Sequence, residues 1–238
     1  MSFSDHLKTA AADFGMPLSD EQVRMFFHYQ EVLLEWNQKM NLTAITDPQE
    51  IAVKHFIDSL SCLDSDVFPV GCSVVDVGTG AGFPGLPLKI YRPDIYLCLI
   101  DSLQKRTNFL QTVVKDLGMK NVEIHHLRAE EAGRQKIRRA RFDVAVSRAV
   151  ARLSVLCELC LPLVRVGGYF VAMKGAKFRE EISEAEGAVK LLGGRIRRVK
   201  EVCLPGLEDV RAVIFIEKQK ATPEKYPRRP GIPEKDPL

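Results

Sequence analysis

Val74-Val75-Asp76-Val77-Gly78-Thr79-Gly80-Ala81-Gly82-Phe83-Pro84-Gly85 joins an apolar run to four closely spaced glycines. A short apolar run bounded by glycine, as expected of a buried strand, passes into a helical pattern over 86–91. That is the context a nucleotide-binding loop requires. Glycines let the backbone turn tightly and approach a ligand where a Cβ would collide. Two frames fit. Gly80-x-Gly82-x-x-Gly85 satisfies a dinucleotide fingerprint, with Asp101 following 21 residues after Gly80 as a ribose-binding acid. Asp76-x-Gly78-x-Gly80-x-Gly82 is instead the loop of S-adenosylmethionine enzymes. The first frame begins late after the strand and puts Pro84, which has no N–H, near where phosphate oxygens need donors. The methyl-donor frame fits better, although spacing alone leaves both standing.

Outward from the loop, further short apolar runs at 96–101, 121–126, 142–147 and 168–175 read as strands. Helical patterns over 105–117, 150–166 and 178–192 separate them. This alternation predicts βαβ units and a parallel sheet with helices on both faces. RIRRVKEVCLP and VRAVIFIEKQ are joined by GLED, too short for a helical crossover, so the last two strands must be antiparallel neighbours. The fold expected is α/β, Rossmann-like and seven-stranded, with five parallel strands and an antiparallel C-terminal hairpin. Residues 1–70 read as a helical arm: Ser19 and Gln22 form a capping box, and Asp47 with Pro48 starts a later helix. Residues 71–221 form the catalytic domain. Residues 222–238, with five prolines in seventeen positions, form a basic tail expected to be extended or disordered.

The net charge of +3 divides unevenly. Residues 1–70 carry four Lys/Arg and eleven Asp/Glu, a balance of −7, and residues 71–238 carry the other 30 against 20, a balance of +10. A basic body implies a polyanionic partner. Its cations cluster at 134–141, 195–200 and 225–229. Arg138, Arg139, Arg141, Lys174, Arg197, Arg198, Arg228 and Arg229 are the expected RNA contacts, and the acidic arm is expected to be a structural wall. No run is long and apolar enough for a membrane span, and MSFSDHLKTA lacks the apolar segment of an export signal. The six scattered cysteines, including the Cys157-x-x-Cys160 pair in an apolar helical run, read as reduced core residues in cytoplasm. A metal is not expected.

Asp101 is suited to both ribose hydroxyls of an adenosine, or to capping the helix that follows. After the third strand, Glu130 is placed to bond an adenine amino group, with Ala129 leaving room for the ring. For Glu130 the competing reading is surface charge.

These segments together resemble the bacterial ribosomal RNA small-subunit methyltransferase G family, also called the glucose-inhibited division protein B family. The resemblance rests on NLTAI (41–45), KHFIDSL (54–60), DVGTGAGFPGLPLKI (76–90), LIDSLQKRTNFL (99–110), RAEE (128–131), FDVAVSRAVA (142–151), MKG (173–175) and YPRRPG (226–231). It implies a monomeric enzyme that methylates guanine N7 in 16S rRNA of the small ribosomal subunit. S-adenosylmethionine would be the donor and S-adenosylhomocysteine the product. Gly78, Phe83, Asp101, Ser102, Ala129, Glu130 and Arg148 match family positions lining the donor pocket. With Asp76, Gly80 and Gly82 they complete the expected cofactor set.

The chemistry agrees with what the sequence lacks. Guanine N7 carries an in-plane lone pair and no proton, so alignment can replace base catalysis. The Asn/Asp-Pro-Pro-aromatic stretch of amino-group methylases is replaced by Ser147-Arg148-Ala149-Val150, and no cysteine follows a proline as in cytosine-C5 enzymes. Arg148 is the candidate for positioning guanine or cofactor. His55 and Asp58, at i, i+3, are expected to pack the arm on the pocket or touch substrate. A small-molecule methyltransferase and a non-catalytic RNA-binding factor are the competing readings.

Overall fold

The computed structural model describes residues 2–148 and 151–238. Ala149 and Val150, part of the segment compared above with amino-group methylases, lie outside the described residues. Seven strands form one sheet: β1 (Ser73–Val77), β2 (Tyr96–Asp101), β3 (Val122–His126), β4 (Phe142–Arg148), β5 (Val164–Lys174), β6 (Gly194–Val202) and β7 (Arg211–Lys218). Their order is β3-β2-β1-β4-β5-β7-β6. The first five are parallel, and β7 inserts antiparallel between β5 and β6. Only β7 is therefore reversed, and β6, at the edge, runs with the parallel set. The expected hairpin is present with this added detail.

Alternation along the strands divides the core. Val74, Leu97, Leu99, Val144, Val146, Val171, Met173, Val213 and Phe215 face one layer. Val75, Val77, Ile100, Ala145, Phe170, Ala172, Ile214 and Ile216 face the other. The period of two in Cβ direction makes continuous apolar runs necessary, because both faces are covered. On the first face lie α1 (Phe3–Asp13), α2 (Asp20–Met40), the run of α3 (Pro48–Ile51), a π-helical turn (Ala52–Ile57) and α4 (Asp58–Leu60), then α5 (Gly85–Tyr91) and α6 (Gln104–Asp116). On the second lie α7 (Ala129–Ala132), α8 (Leu153–Cys160) and α9 (Phe178–Leu191). The capping box of Ser19 and Gln22 starts α2, and Asp47 caps α3 with Pro48 in its first turn.

Two expectations need correction. The helix read over 150–166 ends at Cys160, because β5 already begins at Val164. The apolar run LCLPLVRV holds the end of one element and the start of the next, and periodicity cannot divide so short a stretch. The tail is neither extended nor disordered. Tyr226 is buried in the second core layer, and the chain ends in α10 (Ile232–Lys235). Cys157 and Cys160 are core residues of α8, as read, and burial pushes both thiols up.

Candidate active site

The loop after β1 is held from below. Asp76 is fully buried, and its Oδ2 accepts from the Thr79 hydroxyl at 2.7 Å and from the Gly85 N–H at 2.8 Å. Its other oxygen is buried without a partner among the described residues, and burial pushes the carboxyl up to about 7 against those two hydrogen bonds. Most of the other loop amides also turn inward. Gly78 and Thr79 donate to the Ile100 carbonyl, Gly80 donates to Asp101 Oδ2, and Gly82 and Phe83 donate to the Thr79 carbonyl. Amides spent in this way do not form the anion cradle that a pyrophosphate needs. The dinucleotide frame loses its physical basis here.

A cavity of about 270 Å³ opens beside the loop, lined by Gly78, Asp101, Ser102, Ala129 and Glu130 among apolar Val77, Leu127, Val155 and Leu159. A second cavity, of about 390 Å³, shares Gly78, Asp101 and Ser102 and adds Gly80, Phe83, Arg106, Arg148, Thr43 and His55. Buried Asp101 reaches both, with Oδ1 accepting from the Leu103 N–H at 2.9 Å. A carboxylate for a ribose diol, an acid near an apolar slot and no phosphate cradle fit the adenosine half of S-adenosylmethionine. Asp76 and Gly82 line neither cavity. Asp76 buttresses the loop, and a Cβ on Gly82 would stand 2.5 Å from the Tyr29 hydroxyl. Gly82 is small to let the arm close on the loop.

The arm packs against the loop and supplies polar groups to the cavities. The Tyr29 hydroxyl donates to the Ala81 carbonyl. Tyr29 stacks on Phe83 at 5.6 Å, and the His55 ring stacks on the same residue at 4.5 Å. Arg148, delivered by the end of β4, lies over the Phe83 ring at 4.7 Å. It donates to Asp58 Oδ2 at 2.9 Å and to the Lys54 carbonyl at 3.2 Å, and its Nη2 stands 3.3 Å from His55 Nδ1. Burial, then the charge of Arg148, push the imidazole down to about 3, so His55 is neutral. If Nδ1 accepts from Arg148, Nε2 carries the proton and faces the Thr43 hydroxyl at 2.8 Å. The π-helical turn carries His55 and leads into Asp58, and both meet Arg148.

His55 and Arg148 also belong to a third cavity of about 520 Å³, with Lys54, Asp58, Lys174 and Arg211 on its walls. Arg211 Nη1 lies 3.4 Å from Asp58 Oδ1, so one buried carboxylate is shared by two guanidiniums. Lys174 is buried, donating to the Ala151 carbonyl at 2.6 Å and pairing with Glu181 at 2.7 Å. Its ammonium is engaged within the fold while its side chain lines that cavity.

Several expected RNA contacts have partners within the fold. Arg139 donates to the carbonyls of Gly133, Thr222, Pro223 and Tyr226, and Arg228 grips Glu158. Arg198 pairs with Asp64 above the Phe215 ring. Arg138 lies against His125, and Arg197 stands 3.4 Å from Glu217 on the exposed edge strand. Arg141 and Arg229 are exposed. Charge clusters carry no mark of which cation a carboxylate will claim, which is why sequence grouped them together. Sequence also missed Thr43, Arg106 and Arg211. NLTAI and LIDSLQKRTNFL had marked the first two stretches without assigning either residue a role. Cys98, Glu123 and His125 bring potential metal-ligand atoms within 4.8 Å, a result of the β2–β3 register pairing Cys98 with Glu123, but Arg138 sits against that His125.

The family model for rRNA small subunit methyltransferase G matches residues 22–207. The chain belongs to that family. It is 49% identical over 232 residues to the ribosomal RNA small subunit methyltransferase G of Alkaliphilus metalliredigens, covering 98% of this chain and 97% of the relative. It is 50% identical to the protein of the same name from Exiguobacterium sibiricum, with 97% of each covered. Among solved structures, a SAM-dependent methyltransferase from Aquifex aeolicus aligns with a TM-score of 0.53 at 23% identity, over 71% of this chain and 93% of that one. That likeness concerns the fold. Within the family fold, the arm and tail of this member both reach the cavities described above. No described helix is long and apolar enough to cross a membrane.

Proposed function

We propose that this protein transfers the methyl group of S-adenosylmethionine to N7 of a guanine in 16S rRNA, acting as a monomer and releasing S-adenosylhomocysteine. The observation that carries the reading is that neighbouring cavities share their walls. The cavity lined by Glu130 shares Asp101 with the second, and the second shares Arg148 and His55 with a larger one walled also by Arg211. Asp101, Ser102, Ala129 and Glu130 would hold the adenosine, and Gly78, Gly80 and Phe83 would flank it. When bound, the cofactor supplies an electrophilic methyl on a sulfonium centre.

The chain's own residues then position the nucleophile. N7 needs no deprotonation, and His55, neutral and bonded on both ring nitrogens, is arranged to hold Arg148 rather than to move a proton. Arg148, locked by Asp58 and Phe83, presents a guanidinium at the junction of the two cavities. A planar fork there suits guanine O6. The target base leaves its RNA stack to reach that depth, at a typical cost of a few kcal/mol. Arg141, Arg197 and Arg229 on the surface, aided by exposed Lys136 and Arg195, would gather the phosphates.

The test is transfer of tritiated methyl groups to small-subunit rRNA from a strain lacking the enzyme, with the modified base mapped. Incorporation at one guanine N7 is expected. No incorporation into naked rRNA or into assembled subunits overturns the proposal, and label in a small molecule instead would favour the competing methyltransferase reading.

A further inference from the structure

A dense set of polar contacts outside the site holds the last seventeen residues. Glu158, in the last turn of α8, has no solvent exposure. Its carboxylate accepts from the Arg228 N–H at 2.7 Å, from Nε at 3.0 and 3.1 Å and from Nη2 at 2.7 Å. Arg228 Nη2 also donates to the Asp236 carbonyl at 2.7 Å, tying the end of the chain back on itself. Upstream, Arg139 binds three tail carbonyls, Arg134 Nε donates to the Pro227 carbonyl at 2.8 Å, and buried Tyr226 anchors the turn. Gly133 is tight against the tail, since a Cβ there would come within 2.9 Å of the Pro227 ring.

A buried ion pair is weak evidence for stability alone, because desolvating two charges offsets most of their attraction. What this pair accomplishes is placement. Three residues beyond Arg228, the Gly231 N–H donates to Glu130 Oε1 at 2.9 Å, and Arg128 donates to the same oxygen at 3.2 Å. Pro233 and Glu234 then line the cavity that holds Gly78, Asp101, Ser102, Ala129 and Glu130.

We propose that the C-terminal segment is the adenine-side wall of the cofactor cavity, and that the buried Glu158–Arg228 pair positions it. The inference rests on the reading of that cavity as the adenosine site. Arg228 is thus a positioning residue for the cofactor, acting through Gly231 and Pro233, and not an RNA contact. Glu130 receives its orientation from the tail, so cofactor affinity and tail order are linked in both directions.

The test uses the full-length protein and S-adenosylhomocysteine, with calorimetry for affinity and deuterium exchange for the tail. Pro233→Gly removes part of the wall and leaves the ion pair intact. It should weaken binding by about tenfold in a protein that still unfolds in one cooperative transition. Arg228→Ala should weaken binding at least as much and speed exchange over 226–238, with Arg228→Lys between it and wild type. In wild type, saturating ligand should slow exchange in the same segment. The KM for S-adenosylmethionine should rise more than kcat falls, and the salt dependence of RNA binding should not move. A folded Pro233→Gly or Arg228→Ala variant with wild-type affinity overturns the proposal, as does a tail whose exchange ignores the ligand. If Arg228→Ala does not fold, Pro233→Gly and the wild-type exchange decide. Absence of binding to the wild-type protein would instead overturn the adenosine reading, and this inference with it.

Discussion

Asp76→Asn tests the account of the loop most sharply. Asp76 is fully buried, one of its oxygens has no partner among the described residues, and burial lifts its carboxyl from 3.8 to about 7. For an acid raised on folding, the native state holds the proton more tightly than the unfolded chain between those two values. The stabilisation is therefore fully present below pH 3.8 and is lost as pH rises through about 7. At about 1.36 kcal/mol per tenfold change in proton affinity, the interval sets a ceiling of about 4 kcal/mol. Asparagine keeps an oxygen for Thr79 and Gly85 but cannot ionise. Urea unfolding of both proteins at intervals from pH 4 to pH 8 should show the variant gaining on wild type as pH rises. Any constant offset from its buried amide cancels, as do all other titrating groups common to the two chains. A stability difference that stays flat over that range, or that shifts in favour of wild type as pH rises, refutes the claim that Asp76 is a buttress whose desolvation outweighs its hydrogen bonds and the charge of Arg148.

His55 carries the opposite sign. Its imidazole is held at about 3 against 6.5 in the unfolded chain, so its contribution is complete above pH 6.5 and lost as pH falls toward 3. His55→Asn should flatten the acid limb of the stability profile, measured by the same urea titration. Tyr29→Phe leaves the buried Ala81 carbonyl without its donor and should cost about 1–3 kcal/mol in chemical denaturation. Arg148→Lys should not restore the methyl transfer lost in Arg148→Ala, because an ammonium lacks the fork that spans Asp58 and a base edge. Equal kcat/KM for Lys and Arg would remove that role. Charge reversal at Lys136 and Arg141 should weaken RNA binding and reduce the slope of its salt dependence by about one for each phosphate no longer neutralised, with cofactor affinity unchanged. Arg139 is better left alone in that experiment, since it clasps the tail.

The sheet and the loop were legible from local pattern. Buried parallel strands must be apolar on both faces, a glycine-rich turn has few alternatives, and a four-residue connection excludes a crossover helix. Those constraints are local, and Ser73–Val77, Tyr96–Asp101 and the capping box of Ser19 emerge from them almost unchanged. Boundaries were less legible where apolar character runs on without a break, as between Cys160 and Val164. Tertiary structure alone decided the assignment of charge. Arg139, Arg198 and Arg228 share their sequence pattern with exposed Arg141 and Arg229, yet each is claimed by a group far away in the chain. Arg198 meets Asp64 across 134 positions, Arg139 meets the Tyr226 carbonyl across 87, and Arg228 meets Glu158 across 70. The same long-range closure turned an acidic arm into the holder of Arg148 and a proline-rich tail into a wall of the site. Local pattern selects the elements, because backbone and burial demands are met within a few residues. The partner of a charged side chain is chosen only when the chain has folded back upon itself.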